Sequence, residues 1–267
     1  MKKLLPSLLF LAGLTLVGAC KKDNPETPTP DPVTITGELK GSNIAPLPVA
    51  TAGTGSFAGS FDKNTNELTY AVTFSGLSSA VTLVHLHLGA PGIKTPSFFT
   101  MPGLTSPVTG KTTLTGAQRE ALLTGQVYAN IHTANNPDAG EIRANLMPPN
   151  IVSLSGELSG ANQVPAIATD AKGVVSGIFN KDTNELNYTI SYSGLTPTAG
   201  HFHIAPPGSV NLAPSLGFPS PLTNPTVAKA TLTAEQREAL LAGSVYANLH
   251  TQEHPRTGEI RANIVAK

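Results

Sequence analysis

The sequence predicts an all-β protein made of two tandem antiparallel Greek-key β-sandwich modules, each with one short helix. Most of the sequence consists of two similar copies of one segment, and 267 residues are enough for two domains of ordinary size. The 25 glycines and 23 prolines divide the chain into short segments, which favours strands over long helices. Within the repeated segments, apolar and polar residues alternate with the period of a half-buried strand.

Residues 1–19 predict a lipoprotein signal peptide. Lys2 and Lys3 precede an apolar stretch, residues 4–17, that is too short to span a bilayer as a helix. Residues 16–20 read "LVGAC", which resembles a bacterial lipobox, so we expect cleavage before Cys20 and lipidation of its thiol. An ordinary signal peptide with an incidental cysteine is the alternative. Because Cys20 is the single cysteine, the folded part contains no disulfide.

Residues 20–32 predict the lipidated cysteine and a tether. The "KKDN" after Cys20 resembles the charged export signals of surface-displayed Gram-negative lipoproteins. The following "PETPTPDP" is rich in proline and threonine, so it favours an extended, solvated chain rather than a core. The expected location is the cell envelope, as an outer-membrane lipoprotein that the export signal would carry to the surface. The membrane is then a partner through the lipid anchor.

Two copies of one module are predicted at residues 33–149 and 150–267. The matching phrases include GELKGSNIAP with GELSGANQVP, FDKNTNEL with FNKDTNEL, and VYANIHT with VYANLHT. Length changes fall between these blocks, where loops are expected. The "MPPN" at residues 147–150 interrupts strand pairing and marks the boundary. Because the repeat is much longer than a solenoid unit, each copy is expected to fold alone.

Each copy predicts about seven strands and one short helix. The alternation from Leu68 to Phe74 predicts an antiparallel strand with one buried face, and the preceding "DKNTN" predicts a tight turn. Thr115 and Gln118 predict a capping box at the start of a helix, which Gly125 would end. The second copy offers the matching residues Thr233, Gln236 and Gly243.

These motifs resemble the CHRD domain, a module named for the animal protein chordin and also found in microbial secreted proteins. The resemblance lies in the H-x-H followed by Gly and Pro, the run QREALLxGxVYANxHT, and the closing GEIRAN. It covers nearly all of residues 33–266, in two copies. The resemblance implies an extracytoplasmic module rather than a reaction, and chordin's inhibition of growth factors is not carried over to a bacterial lipoprotein.

Six of the seven histidines occupy matched positions in the two copies. Strand residues two apart lie on one face about 6.5 to 7 Å apart, so His85 and His87 point the same way. If the strand that contains His132 lies beside them, three imidazoles meet. Neutral imidazole suits copper, zinc or nickel, and three histidines with an open position form a known zinc arrangement. The candidate ligands are His85, His87, His132, His201, His203 and His250.

A structural interpretation of the same histidines is the one the sequence favours. YANIHT and GEIRAN are expected to form a hairpin that brings Glu141 and Arg143 near His132. A buried Glu–Arg–His network would be satisfied by its own hydrogen bonds without any metal. A small-molecule or glycan site is the third interpretation. The predicted structural network comprises Glu141 and Arg143 in the first copy and Glu259 and Arg261 in the second.

Several functional classes have little support. Seventeen basic residues balance seventeen acidic ones, so no basic field attracts nucleic acid. The sequence contains no G-x-S-x-G elbow and no phosphate-binding glycine loop. The DKNTNE segment lacks the glycine of a calcium loop. The H-x-H within an immunoglobulin-like sandwich is similar to the copper–zinc superoxide dismutase fold, but the modules lack that enzyme's intradomain cysteine pair and additional ligands.

The expected function is therefore that of a non-enzymatic, lipid-anchored envelope protein presenting two modules for binding or structural duty. The partner would be an unidentified protein or glycan. The alternative is a copper- or zinc-binding envelope protein with one three-histidine site in each module.

Overall fold

The computed structural model describes residues 32–267, which contain two antiparallel sheets, one in each module. The predicted signal peptide, Cys20 and nearly all of the tether lie outside the described residues. Within residues 32–267, no helix is long and apolar enough to cross a membrane.

The first module has eight strands and one helix. They are β1 (Val33–Lys40), β2 (Thr54–Asp62), β3 (Glu67–Ser75), β4 (Val81–Leu88), β5 (Ser97–Thr100), β6 (Val108–Thr113), α1 (Gly116–Leu123), β7 (Val127–Thr133) and β8 (Ile142–Asn145). The second module repeats this order with β9 (Ile151–Ser159), β10 (Lys172–Asn180), β11 (Glu185–Ser193), β12 (Ala199–Ile204), β13 (Leu216–Gly217), β14 (Thr226–Thr231), α2 (Ala234–Leu241), β15 (Val245–His250), β16 (Ile260–Asn263) and β17 (Val265–Ala266).

Each module is an antiparallel sheet that curls into two facing layers. In the first module the strand order is β5-β4-β7-β8-β1-β2-β3-β6, so β1, β2, β3 and β6 form one layer and the other four strands form the second. The layers join between β1 and β8, where Lys40 pairs with Arg143. Across the core, the Tyr70 and Phe99 rings meet edge to face with centroids 6.1 Å apart. The second module has the same order, which confirms the predicted all-β, two-module sandwich.

The two predicted helices begin as the sequence indicates. The Thr115 side chain accepts a hydrogen bond from the Gln118 amide, and the Gln118 side chain accepts one from the Thr115 amide. Thr233 and Gln236 form the same capping box. Each reciprocal pair satisfies two amides that the first helical turn leaves free.

The second module buries part of its outer surface against the first. Ile178 lies on the outer side of β10, yet its side chain is only 1% exposed. The turn at Gly125 covers it, with φ of +73° and so little space that an added Cβ would lie 2.8 Å from Ile151 and 3.4 Å from Ile178. At the matching position of the first module, the outer side carries the exposed Ser60. The two outer surfaces therefore differ in polarity.

This difference predicts unequal behaviour of the isolated modules. We expect residues 33–149 and 150–267 each to unfold cooperatively, and the second fragment to associate through its uncovered Ile178. Ile178→Ser, which copies Ser60, should reduce this association and should destabilise the tandem protein by about 1–3 kcal/mol through lost burial. Denaturant unfolding and light scattering measure both effects. An unchanged unfolding free energy of the tandem variant would contradict the proposed packing.

Candidate metal centres

Strand pairing brings the three histidines of the first module together. In the β4–β7 ladder, His85 lies opposite Asn130, His87 lies opposite Tyr128, and His132 lies opposite Leu83. Because neighbouring strand residues alternate, the histidines occupy the face opposite the core residues Val84 and Leu86. The sequence-based condition for convergence, that the YANIHT strand lies beside the H-x-H strand, is met.

One ring nitrogen from each histidine of this triad lies within 4.8 Å of the others. The His85 ring centroid is 5.6 Å from that of His87 and 5.4 Å from that of His132. Nitrogens bound to one ion in a tetrahedral arrangement lie about 3.4 Å apart, given metal–nitrogen bonds of about 2.0–2.1 Å. Small rotations of the rings would therefore close the site around an ion.

Backbone carbonyls orient the two buried rings. The Nδ1 atom of His87 lies 2.8 Å from the Thr95 carbonyl, and the Nδ1 atom of His132 lies 2.8 Å from the Pro137 carbonyl. A carbonyl only accepts, so each Nδ1 carries the proton and each Nε2 keeps its lone pair. The Nε2 atom of His87 is buried and has no hydrogen-bond partner among the residues that the structure describes. This is the arrangement that fixes ring orientation and tautomer in histidine metal ligands.

The second module repeats the triad with His201, His203 and His250, whose candidate ligand nitrogens also lie within 4.8 Å of one another. The Nδ1 atom of His203 is 3.1 Å from the Ala213 carbonyl, and that of His250 is 3.2 Å from the Pro255 carbonyl. The Nδ1 atom of His201 is 3.3 Å from the Nε2 atom of His250. The same anchoring recurs, although the residues that provide the carbonyls differ.

An asparagine lies behind each triad. Asn130 Nδ2 donates to the Ala139 carbonyl at 2.9 Å and lies 3.2 Å from His132 Nε2. Asn248 Nδ2 donates to the Thr257 carbonyl, and its Oδ1 lies 3.1 Å from the Nε2 atoms of both His203 and His250. When Nδ1 carries the proton, each Nε2 lone pair faces a lone pair of Asn248 Oδ1. A cation bound at the Nε2 atoms would offset the repulsion between these lone pairs.

Burial favours the neutral, metal-binding form of five of the six triad histidines. Desolvation lowers the pKa of His87 to about 4, with the nearby His85 and His132 acting in the same direction. It also lowers the pKa of His85, His201, His203 and His250. Neutral imidazoles at neutral pH leave their lone pairs available without prior loss of a proton.

The metal-free protein should lose stability as the pH falls from about 6.5 towards 4. In that window the unfolded chain protonates His87, whose ordinary pKa is 6.5, whereas the folded chain does not. The free energy of unfolding should therefore fall by at most about 1.4 kcal/mol per pH unit for this histidine. Denaturant unfolding in the presence of a chelator measures the slope. His87→Gln should flatten it, and an unaltered slope in that variant would contradict the assignment.

The two predicted acidic network residues bind hydroxyl groups instead of histidines. Glu141 is fully buried and accepts hydrogen bonds from Thr51, Thr133 and both the amide and hydroxyl of Ser78. Burial raises the pKa of Glu141, but these hydrogen bonds outweigh burial and hold the pKa below its usual value. Glu259 accepts from Thr169 and Thr251. No hydrogen bond joins either glutamate to an arginine or a histidine in residues 32–267.

The two predicted arginines also lie apart from the glutamates. Arg143 lies opposite Asn130, as the expected hairpin requires, but its guanidinium stacks on the Tyr128 ring, with Cζ 3.5 Å from the centroid. Arg261 stacks on Tyr246 at 3.6 Å. The sequence-based expectation of a joint Glu–Arg–His network is corrected here, because Glu141 precedes β8 and is held by Thr51 and Ser78 on other segments.

Sequence reasoning missed the role of Tyr128 and Tyr246. The Tyr128 ring stacks on His87 with centroids 4.5 Å apart and an interplanar angle of 5°. Tyr246 stacks on His203 at 4.8 Å and 7°. The sequence contained an indication of this role. In the repeated VYANxHT motif, the tyrosine lies on the same strand face as the asparagine and the histidine.

A family model for the CHRD domain matches the chain twice, at residues 35–146 and 154–264. The chain belongs to the CHRD family. The two matches coincide with the two sandwiches and leave between them a segment that contains the Met147–Asn150 boundary. No curated protein and no solved structure gives a significant match to the chain. Each CHRD module thus contains one complete histidine triad, built from β4 and β7 or from β12 and β15.

Proposed function

We propose that this protein is a lipid-anchored, non-enzymatic envelope protein whose two CHRD modules each bind one transition-metal ion. The observation that carries the proposal is the convergence of three ring nitrogens within 4.8 Å in both modules. In the first module His87 and His132 present Nε2 because a carbonyl accepts from each Nδ1. In the second module the carbonyls of Ala213 and Pro255 lie at the matching positions beside the Nδ1 atoms of His203 and His250. Within residues 32–267 the buried Nε2 atom of His87 has no hydrogen-bond partner, so its lone pair is available to an ion.

The ligand set favours copper, zinc or nickel over calcium or magnesium. Each triad consists of imidazoles alone, with no carboxylate among the converging ligand atoms. Imidazole nitrogen suits the later transition metals, whereas calcium and magnesium require oxygen ligands. In each triad two histidines are buried and one is partly exposed, so the site opens to solvent on the side of His85 or His201. A small ligand from solution can complete the coordination there.

A structural role for the histidines is the second candidate. The Asn130–His132 and Asn248–His203 contacts link the triads to their loops and favour it. In this case the imidazoles would stabilise the β4–β7 and β12–β15 pairs through hydrogen bonds, and the modules would bind a protein or glycan elsewhere on their surfaces.

Metal titration of the full-length protein, purified in detergent without a histidine tag, distinguishes the two. We expect two ions of copper or zinc per chain, with dissociation constants of about 1 μM or lower, which correspond to about −8 kcal/mol each. Calorimetry and elemental analysis after desalting measure the stoichiometry. Absence of bound copper, zinc and nickel would overturn the proposal and favour the structural role.

The membrane anchor is tested separately. Because Cys20 alone offers a thiol for acylation, Cys20→Ser should move the protein from the membrane fraction to the soluble fraction. Cell fractionation and immunoblotting measure the distribution, and Ser7→Ala, inside the same signal segment, serves as the control. Retention of the Cys20→Ser protein in membranes would contradict the lipid anchor.

A further inference from the structure

Two buried guanidinium groups in this protein have no acidic partner in the described residues. Arg143 is 2% exposed and Arg261 is 1% exposed. Arg143 donates to the carbonyls of Ala90 and Ile93 and to the Asn145 side chain, all of which are neutral. Arg261 donates to the Ser209 carbonyl and the Asn263 side chain. Because a buried charge is usually paired, two unpaired ones at matched positions require an explanation.

Each arginine lies one aromatic ring away from a histidine of the triad. Strand β7 lies between β4 and β8 in the sheet, so Tyr128 separates His87 from Arg143. The Arg143 Cζ atom is 3.5 Å from the Tyr128 centroid, and the His87 ring is 4.5 Å from it on the β4 side. The corresponding distances in the second module, for Arg261, Tyr246 and His203, are 3.6 Å and 4.8 Å.

This stacking brings a fixed positive charge close to a candidate metal site that, among the described residues, contains no negative ligand. Each triad consists of imidazoles alone, and an imidazole that coordinates a metal adds no negative charge, so a bound ion keeps its full charge. On the side of the arginine, the guanidinium, the tyrosine and the stacked histidine are all buried, so water screens the charge only weakly there. Repulsion between the guanidinium and the ion grows in proportion to the charge of the ion, so a divalent ion is disfavoured twice as strongly as a monovalent one.

We infer that Arg143 and Arg261 determine the metal specificity of the two sites, favouring copper(I) over zinc(II), nickel(II) and copper(II). The inference rests on the proposed metal-binding function and specifies that the preferred ion is monovalent. Arg143 and Arg261 act through the tyrosines and do not bind the metal. A purely structural role for the arginines, which also hold the loops after β4 and β12, predicts equal weakening for every metal when they are replaced.

The test is the ratio of copper(I) to zinc(II) affinity in the full-length protein. Anaerobic competition with a chromogenic chelator measures copper(I), and competition with a fluorescent chelator measures zinc(II). The Arg143→Met, Arg261→Met double variant should lower the ratio by about tenfold or more, because it removes the charge that repels the divalent ion. The matched Arg143→Lys, Arg261→Lys variant keeps the charge and should keep the ratio within about threefold.

The outcomes separate this inference from the proposed function. Metal binding with an unchanged ratio in the methionine variant would overturn the inference and leave the proposed function intact. Binding of zinc(II) by the unmodified protein as tightly as copper(I) would also overturn it, and that measurement needs no variant to fold. Absence of binding for both metals would overturn the proposed function itself.

Discussion

Replacement of any one of His85, His87 and His132 by alanine is expected to abolish metal uptake by the first module. Each ring supplies one of three nitrogens that converge within 4.8 Å, and two imidazoles with water hold an ion far less tightly than three. The second module should still bind one ion through His201, His203 and His250. The stoichiometry should therefore fall from two ions per chain to one, with circular dichroism largely unchanged.

The seventh histidine provides the matched control. His254 follows the second triad in the chain but is not among its converging ligands, so His254→Ala should retain two ions per chain. If the triads serve only as hydrogen-bonding elements, the triad variants should instead lose about 1–3 kcal/mol of stability through unsatisfied partners, with no metal to lose. Retention of both ions by a triad variant would contradict the assignment of its ligands.

Glu141→Ala should cause the largest loss of stability among the single substitutions considered. The carboxylate of Glu141 is fully buried and accepts hydrogen bonds from the hydroxyls of Thr51 and Thr133, the amide and hydroxyl of Ser78, and Asn136 Nδ2 at 3.5 Å. These donors lie on three separate segments of the first module. Alanine would leave these donors without an acceptor. We expect a loss of about 3–5 kcal/mol in the free energy of unfolding.

The second module contains a natural comparison for this prediction. Glu259 is less buried, and within residues 32–267 it accepts from two donors, the hydroxyls of Thr169 and Thr251. Glu259→Ala should therefore cost about 1–2 kcal/mol less than Glu141→Ala. Chemical unfolding of the two variants measures the difference. Equal losses would show that the additional bonds from Ser78 and Asn136 contribute nothing to stability.

The fold was largely predictable because its signals are local and repeated. Alternation along β3, the capping box at Thr115 and the turn before Glu67 each follow from a few neighbouring residues. The count of about seven strands was low, because β5 has four residues and β13 has two, and both lie within proline-containing loops. Short strands of this kind form when tertiary contacts offer a partner, which a local pattern does not reveal.

The sequence predicted the histidines of the candidate site, but it did not predict the residues that surround and orient them. The face shared by Tyr128, Asn130 and His132 follows from strand alternation, and pairing with the H-x-H strand then brings the rings together. The anchors are backbone carbonyls of Thr95 and Pro137 in loops, where any residue offers the same group. The partners of Glu141 and Arg143 depend on side-chain direction across several segments, and no spacing in the sequence specifies that direction.

The most direct test of the metal sites is diffraction from crystals of the folded region grown with copper, with anomalous data collected at the copper absorption edge. We predict one anomalous peak in each module, bound by the nitrogens of His85, His87 and His132 or of His201, His203 and His250, with metal–nitrogen distances of about 2.0–2.1 Å. The proposed metal sites would be contradicted if crystals equilibrated with excess copper showed no anomalous peak at either triad and the histidine rings remained apart.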